Sequence, residues 1–583
     1  PPISKDLTRP AQDVVVQPPS STDILAHAAD LMASHLHDPK VRHSESSQSE
    51  TAFLLAARVQ YAQRTESEDV MPRSEDQESG VESSPLLKLA EEKFGPLDPK
   101  HPLRKLVSAV EEGKTAKYSD RTGAELNTSI PIDEWNLEHV LQAEQIEWLC
   151  TEPKLAGFIT HQGVLIVGAR VEGTLDFSFA TLPYPLGLRS CSATNGIGLR
   201  YANIKLLDLS QSHIGSVRTN GPAVNAEGGV FSGSVFLSNG FTAIGEVRLV
   251  GATIGHGLAC GGATLNNRNG PALSADGATI GGGLYLKKVT TSGEIRLLNT
   301  EIGSGLECDG ANLNNPGGYV LNANNANING SVFFRNGFKA NGEINLGGAK
   351  IGGDLSCVGA NLKNFGGRAL SSERATIGGS VLLRDNFIAN GEVSLASASV
   401  GVHFQLRQND SSSNTAFRLD LSNATVETLN DDFNSWPKQG SYEIDSFTYK
   451  TIANAAPRDL VKRLSWLRGC QINRTFQSGP YNQLAAVFER TGQFSDAREI
   501  RIASERERGR LSKSVVHRCW DSVLRRTVAY GYKPWLAIWW ALFFCMIGFV
   551  IFFFAGVNKR MVPSDRNAFS DFEKGNVPKN YPK

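Results

Sequence analysis

Three cysteines recur along this sequence at a nearly constant interval and could bind a metal ion or form a redox pair. Cys260, Cys308 and Cys357 are 48 and 49 residues apart. Thiolates hold a shared zinc ion or iron–sulfur cluster only when their sulfurs converge on one metal site. Because the interval belongs to a repeat, each cysteine is expected two turns of the coiled chain from the next, about 10 Å away. Leu406 follows in the same register, so we interpret the series as buried structural cysteine.

A row of carboxylates has the same spacing. It consists of Glu246, Glu294, Glu343 and Glu392, each directly after a glycine. Such a row could bind cations, but a separation of two turns prevents shared coordination. We therefore expect Gly-Glu corners whose carboxylates face water or pair with Arg248 or Arg296.

The remaining candidates for chemistry are weak. The eleven histidines share no spacing, and the sequence contains no HExxH, G-x-S-x-G or GxxxxGK[ST] motif. The pair Gly255 and Gly257 lacks the third glycine and the strand-to-helix context of a dinucleotide-binding loop. Asn267, Asn315 and Asn364 are expected to cap corners, where asparagine hydrogen-bonds its neighbours. The sequence thus predicts no catalytic, cofactor-binding or metal-binding residue and no cofactor.

The repeat that carries these residues predicts the architecture. The unit Gly245–Leu249 returns at Gly293, Gly342 and Gly391, in steps of 48, 49 and 49 residues. Within each unit, apolar residues alternate with polar ones in short pairs separated by Gly, Asn and Asp, which is typical of short strands and tight corners. Each unit is therefore expected to hold two coils of equal length. We predict a mainly β fold, a right-handed parallel β-helix of the pentapeptide-repeat-like kind, over residues 157–430 in about eleven coils.

Charge and cysteine content exclude several classes of protein. The chain has 59 Lys and Arg against 59 Asp and Glu, and the predicted solenoid has 19 against 18. A protein that coats nucleic acid would be strongly basic, and a DNA mimic strongly acidic, so we expect no nucleic-acid partner. Eight cysteines without a CxxC pair indicate free thiols facing the cytosol.

The segments that flank the solenoid are predicted to be largely helical. Residues 1–101 are predicted to be mostly disordered, with helical faces at 24–35 and 51–64 and disordered acidic or Ser-rich runs at 44–49 and 66–84. Residues 102–156 are predicted to form a helical cap over the first coil. Residues 431–530 are predicted to be helical and to contain a tetratricopeptide-like hairpin, in which Tyr481, Leu484, Ala485 and Phe488 share a face and Gly492 breaks the helix.

A membrane span is predicted near the end of the sequence, within a final region of residues 531–583. No charged residue occurs from Trp535 to Val557, and this segment is long enough to cross the hydrocarbon core of a bilayer. Residues 498–533 carry ten Lys and Arg against four acids, and residues 558–583 carry six against three. The excess of cations on the N-terminal side predicts an inner-membrane protein with its solenoid in the cytosol.

Several segments resemble, in their order and spacing, a bacterial pentapeptide-repeat-like membrane protein family. They are Trp148–Cys150, 163–175, Leu182–Leu186, Trp436–Pro437, Phe447–Tyr449, Arg463–Leu467, Pro480–Arg498 and Tyr530–Trp535. The resemblance covers about residues 102–583, and members are often named membrane-associated oxidoreductases. In relatives the chain continues to a second membrane helix, which implies that this sequence, opening at Pro1 and ending at Lys583, is a piece of a longer protein. The resemblance implies no particular site residue.

These observations predict a membrane-anchored β-helical scaffold with the lipid bilayer and an unidentified protein as partners. Two alternatives remain open at this stage. The family name implies an oxidoreductase, which would show a flavin, haem or nicotinamide spectrum when purified. A sensory or channel-like protein is the third interpretation, although Trp535–Val557 offers no polar residue to line a pore.

Overall fold

The computed structural model describes residues 84–119, 137–215, 221–408, 417–456, 458–470, 476–511 and 515–558. The helical faces predicted at 24–35 and 51–64 and the disordered runs predicted at 44–49 and 66–83 lie outside these residues. Eight α-helices occur in the described part of the chain. They are α1 (Pro85–Phe94), α2 (Pro102–Glu111), α3 (Ala143–Thr151), α4 (Leu460–Gly469), α5 (Gly479–Arg490), α6 (Phe494–Leu511), α7 (Val515–Thr527) and α8 (Trp535–Val557).

Short strands stack into two long sheets. The first sheet contains Ala116–Lys117, Val164–Val167, Thr181–Arg189, Asn203–Asp208, Val230–Phe231, Val235–Phe236, Thr253–Ile254, Leu258–Ala259, Thr279–Ile280, Leu284–Tyr285, Glu301–Ile302, Leu306–Glu307, Asn327–Ile328, Val332–Phe333, Lys350–Ile351, Leu355–Ser356, Thr376–Ile377, Val381–Arg384, Ser399–Arg407, Thr425–Asp431 and Thr448–Ile452. The second contains Val140–Gln142, Arg170–Glu172, Leu175–Asp176, Ser192–Ala193, Ile197–Gly198, His213–Ile214, Val224–Asn225, Thr242–Ile244, Val247–Arg248, Thr264–Ser274, Thr290–Arg296, Asn312–Asn322, Lys339–Asn345, Asn361–Ser371, Ile388–Ser394, Arg418–Asp420 and Tyr442–Glu443.

Every strand pairs in parallel with the equivalent strand of the next coil. Ile254 lies opposite Ile280, Ile280 opposite Ile302, and Ile302 opposite Ile328. These side chains are at most 1% exposed, so they form a continuous apolar column inside the coil. The prediction of a mainly β, parallel solenoid is confirmed, with about 12 turns over residues 164–452. Its predicted right-handed sense stays a prediction.

The solenoid ends later than predicted. The strands Tyr442–Glu443 and Thr448–Ile452 pair with Leu419–Asp420 and Thr425–Leu429, so the coil continues beyond the predicted boundary at residue 430. Tyr449 follows Val426 in the inward column. The sequence prediction stopped too early because aromatic residues replace the Ile and Leu of earlier coils there.

Successive coils differ in length, which corrects the expectation of equal coils. The step of the inward column from Ile254 to Ile280 is four positions longer than the step from Ile280 to Ile302. The next step, to Ile328, is long again, and the step from Ile328 to Ile351 is short. Since a long and a short coil together form one repeat, the constant period of the sequence is the sum of two unequal turns.

A helical cap closes the N-terminal end of the solenoid. Leu86 of α1, Leu106 of α2 and Ile146 of α3 are fully buried in the same apolar core as the first coil. The hydroxyl of Tyr184 on the solenoid donates to the carbonyl of Cys150 at the end of α3, at 2.7 Å. The predicted cap over 102–156 thus extends upstream to include α1, and it also contributes strands to both sheets.

A buried ion pair closes the C-terminal end. Asp431 lies opposite Leu406, in the inward column that Cys357 also occupies. Arg463 of α4 reaches it with two hydrogen bonds of 2.7 and 2.8 Å, and both side chains are 0% exposed. The indole nitrogen of Trp436 donates to the same carboxylate at 2.7 Å. The apolar column therefore ends in a charged residue that the first C-terminal helix neutralises.

Helices α5 and α6 form the predicted hairpin. Tyr481, Leu484, Ala485 and Phe488 are all buried on one face of α5. Gly492 has a φ of +79° between the helices, a conformation that glycine adopts without strain. The predicted shared face and helix break are confirmed.

Helix α8 is the one helix of the described residues that is long and apolar enough to cross a membrane. It coincides with the predicted span Trp535–Val557, and none of its residues is buried. A helix that is apolar on all sides normally lies in a protein core or a bilayer. The chain is therefore a β-solenoid with a C-terminal apolar helix that its own fold does not cover.

Candidate functional site: a ridge of loops on the solenoid

The cysteine series lies inside the coil, as predicted. Cys260, Cys308 and Cys357 are 0% exposed, and the fully buried Leu286 and Phe334 occupy the same column on the coils between them. A sulfur thus has apolar groups above and below it rather than another thiol. No group of three or more His, Cys, Asp or Glu side chains among the described residues could hold a metal ion. Burial raises the pKa of the Cys260 thiol to about 12.

This burial predicts selective thiol reactivity. Of the eight cysteines, Cys519 and Cys545 are exposed, and Cys545 lies within α8. In detergent solution at pH 8 we expect a polar maleimide to modify Cys519 rapidly and the six buried cysteines only after unfolding, because a buried thiol forms little thiolate. The measurement is intact-protein mass spectrometry over time. The variant Cys519→Ser/Cys545→Ser, which lacks both exposed cysteines, should remain unmodified while folded; rapid labelling of Cys260 in that variant would contradict the buried assignment.

The glutamate series forms part of a charged row on the outside of the coil. The carboxylate of Glu246 lies 3.5 Å from Arg248, as predicted. Glu392 lies between Arg368 and Arg418 of the neighbouring coils, at 3.6 Å from each. Burial raises the pKa of Glu294, against the opposing effect of an Asn322 hydrogen bond and of Arg296. These carboxylates balance arginines along the row and do not converge on a common point.

A ridge of three loops crosses the outer surface. The strands Thr264–Ser274, Asn312–Asn322 and Asn361–Ser371 belong to long coils, and each is interrupted by a shift of register against its shorter neighbour. The shift arises because the long coil carries four more residues at this point. We call the segments 266–271, 314–319 and 363–368 the loop ridge. They lie two coils apart, roughly 10 Å between successive loops.

Each loop of the ridge is closed by its own asparagine. The side-chain amides of Asn267, Asn315 and Asn364 donate to the carbonyl four residues further on, at 2.7, 2.8 and 2.6 Å. The prediction that these asparagines hydrogen-bond their neighbours is confirmed. The loops are therefore held in one shape by a repeated internal contact.

Three of the four Gly-Glu glycines lie directly beside a loop of the ridge. Gly293, Gly342 and Gly391 have φ values of +126°, +136° and +145°. A Cβ at these positions would clash with the carbonyl oxygens of the three loop asparagines on the preceding coil, at 2.6 Å or less. Sequence reasoning interpreted Gly-Glu as a simple corner. The structure shows that its glycine leaves room for the loop on the preceding coil.

We expect Gly342→Ala to lower the free energy of unfolding by more than about 1 kcal/mol, since both the positive φ and the close carbonyl disfavour a side chain. Gly317→Ala is the matched control, because Gly317 also has a positive φ of +77° but no atom within 4 Å of an added Cβ. Urea unfolding followed by circular dichroism measures both. Equal losses of stability in the two variants would show that the close approach of Gly342 to the Asn315 carbonyl makes no contribution.

The exposed side chains of the ridge are aromatic and basic. Phe365 is 80% exposed and Tyr319 is 39% exposed. Arg268, Lys363 and Arg368 are exposed as well, and the three loops contain no acidic residue. The ridge thus exposes two aromatic rings and three basic side chains on loops that are each closed by an internal hydrogen bond.

A second exposed aromatic pair lies near the N-terminal end of the solenoid. The rings of Phe179 and Tyr201 stack with centroids 5.5 Å apart and are 71% and 51% exposed. Both residues have positive φ values, 63° and 52°, at the corner where Gly228 and Gly251 lie in later coils. No sequence signal singled out this pair, because its members occupy corner positions outside the clean repeats.

The fold defines the class: a capped parallel β-solenoid with an exposed C-terminal apolar helix. Comparisons with protein-family models, with curated proteins and with solved structures found no match. The resemblance to a pentapeptide-repeat-like family therefore stays a prediction.

Proposed function

We propose that this protein is a membrane-anchored scaffold whose loop ridge binds an acidic segment of a partner protein. The observation that carries the proposal is the ridge itself, three loops of one shape that expose Tyr319 and Phe365. The cations Arg268 and Lys363 are exposed on two of these loops.

Arg268 and Lys363 would attract an acidic partner, and the two rings would supply apolar contacts. Arg368 is already paired with Glu373 and Glu392, at 2.9 and 3.6 Å. The about 12 stacked turns keep these side chains at fixed intervals.

The test is recovery of a partner from detergent extracts with a tagged chain. We expect the wild type to retain a partner that the double variant Tyr319→Ser/Phe365→Ser loses, with about a tenfold or greater reduction in bound protein, because each ring is an anchor worth more than about 1 kcal/mol. The matched control is Phe179→Ser/Tyr201→Ser, which removes two exposed rings away from the ridge. Equal retention by all three chains would overturn the ridge as the docking surface.

Anchoring through α8 accounts for the absence of buried residues along this apolar helix. We propose that α8 spans the inner membrane and that the solenoid lies in the cytosol. Two contacts join the preceding segment to this helix: Arg498 lies over the Trp535 ring at 5.6 Å, and the Trp540 indole donates to the Arg526 carbonyl at 3.0 Å. Just before the helix, Lys533 lies 2.5 Å from Glu499. Cations held at this end favour its retention on the cytosolic side.

Cysteine labelling in intact cells tests the orientation. Asn269 is exposed on the ridge, whereas Asn267 closes its loop, so Asn269→Cys in a Cys519→Ser/Cys545→Ser background is the better probe. We expect a membrane-impermeant maleimide to react with it only after lysis. Labelling before lysis would place the solenoid outside and overturn the cytosolic orientation.

A further inference from the structure

Helix α7, between the hairpin and the apolar helix, exposes an apolar face. Trp520 is 61% exposed and Val523 is 48% exposed, and Cys519 is exposed beside them. Residues three or four apart lie on one side of a helix, so Trp520 and Val523 form a continuous apolar stripe together with Cys519. A helix of thirteen residues has enough length for such a stripe to act as a surface.

The other side of α7 packs against the protein. The carboxylate of Asp521 lies so close to Gly509 of α6 that a side chain there would have no room. Positions 519, 520 and 523 point away from that contact, because Asp521 lies more than a quarter turn from each of them. The apolar stripe therefore lies on a side of α7 that does not pack against α6.

The contact between α7 and α8 indicates how deep the apolar face of α7 would lie in a bilayer that α8 spans. The indole nitrogen of Trp540 donates to the carbonyl of Arg526 near the end of α7, at 3.0 Å. Trp540 is the sixth residue of α8, roughly 7.5 Å along that helix from Trp535. The polar headgroup layer of a bilayer is about 5–8 Å thick on each side. With α8 spanning the membrane, the end of α7 thus lies at the level of the headgroups.

The charge of α7 matches an anionic surface. Arg518, Arg525 and Arg526 are exposed, and the acidic residue of the helix, Asp521, is half-buried against α6. Arg526 borders the stripe beside Cys519, whereas Arg518 and Arg525 lie on the opposite side of the helix, so α7 has one apolar face and one basic face. This pattern is typical of helices that lie in the plane of a membrane surface. Each cation near an anionic leaflet contributes favourable attraction that salt weakens.

We propose that α7 is an interfacial helix that binds the anionic lipid surface, with Trp520 and Val523 at the boundary between headgroups and acyl chains. This rests on the proposed anchoring by α8. The headgroups attract the exposed arginines, and the stripe buries its apolar area in lipid.

Cys519 provides the probe that tests this proposal. The full chain, with Cys545→Ser, is labelled at Cys519 with an environment-sensitive fluorophore and reconstituted into phosphatidylcholine vesicles with or without phosphatidylglycerol. We expect the emission to shift to the blue and to be quenched by nitroxide-labelled lipid, more strongly with phosphatidylglycerol. Arg525→Gln/Arg526→Gln should lower the ratio of lipid-exposed to water-exposed probe by about fivefold for each cation removed. Arg510→Gln, on α6, is the control and should change it little.

Three outcomes would overturn the proposal. A probe quenched by aqueous iodide regardless of lipid charge would place the face in water. A probe protected from both iodide and lipid quenchers would show that protein, such as a second copy of the chain, covers it. Flotation of the vesicles separately tests the anchor: a chain that floats with a water-exposed probe contradicts only the role of α7, whereas a chain that does not float contradicts the anchoring as well.

Discussion

Arg463→Met is expected to lower the free energy of unfolding by about 3–5 kcal/mol, since it leaves the buried carboxylate of Asp431 without its cation. Both side chains are 0% exposed, and the guanidinium also lies 4.8 Å from the Phe433 ring and 5.3 Å from the Trp466 ring. Urea unfolding followed by tryptophan fluorescence measures the loss, because Trp436 and Trp466 report on this end of the solenoid.

The double variant Asp431→Leu/Arg463→Met separates the charge from the packing. Leucine would continue the apolar column of Leu406, so most of the loss should be recovered. Recovery should be incomplete by about 1–3 kcal/mol, because the Trp436 indole nitrogen, which donates to Asp431 at 2.7 Å, would lose its acceptor. A double variant as unstable as Arg463→Met would show that shape, and not charge neutralisation, dominates this contact.

Ile302→Asp is expected to cost several kcal/mol, because it places an unpaired carboxylate in the apolar column. Ile302 is 1% exposed and is paired with Ile280 and Ile328 on the adjacent coils. A solenoid contacts only neighbouring coils, so the damage should be concentrated in the coils on either side. Hydrogen exchange measured by mass spectrometry should show loss of protection centred on residues 279–328.

Glu301→Gln is the matched control for this substitution. Glu301 is the preceding residue of the same strand and is exposed on its outer face. Because alternate residues of a strand point to opposite sides, this change should alter stability by less than about 0.5 kcal/mol. Similar losses for Ile302→Asp and Glu301→Gln would reverse the inward and outward assignments of the whole repeat.

The sequence predicted the solenoid well because its signal is repeated. Ile254, Ile302 and Ile351 recur at one interval, and a strand buries every second side chain, so the period identifies both the coil and its inward face. The same periodicity placed the cysteines in the core. The length and uniform apolarity of Trp535–Val557 likewise predicted a helix that the fold leaves uncovered.

The sequence did not predict the loop ridge, although its signal was present. The assumption of equal coils hid the alternation between the long step that ends at Ile280 and the short step that follows it. An uneven spacing within a constant period indicates an insertion on every second coil. The role of the glycine in Gly-Glu could not be predicted from the sequence, because the carbonyl oxygen for which it leaves room belongs to a residue on the preceding coil.

Local pattern alone determined the strands, the inward column and the apolar helix, because each depends on the polarity of residues close together in the chain. Only the tertiary structure decided the ion pair of Asp431 with Arg463, the ridge at Phe365 and the exposed face of α7. These features depend on which distant residue lies opposite a given side chain. Burial turns an ordinary aspartate and arginine into a structural contact, and the packing of the described residues leaves Trp520 and Val523 of α7 exposed.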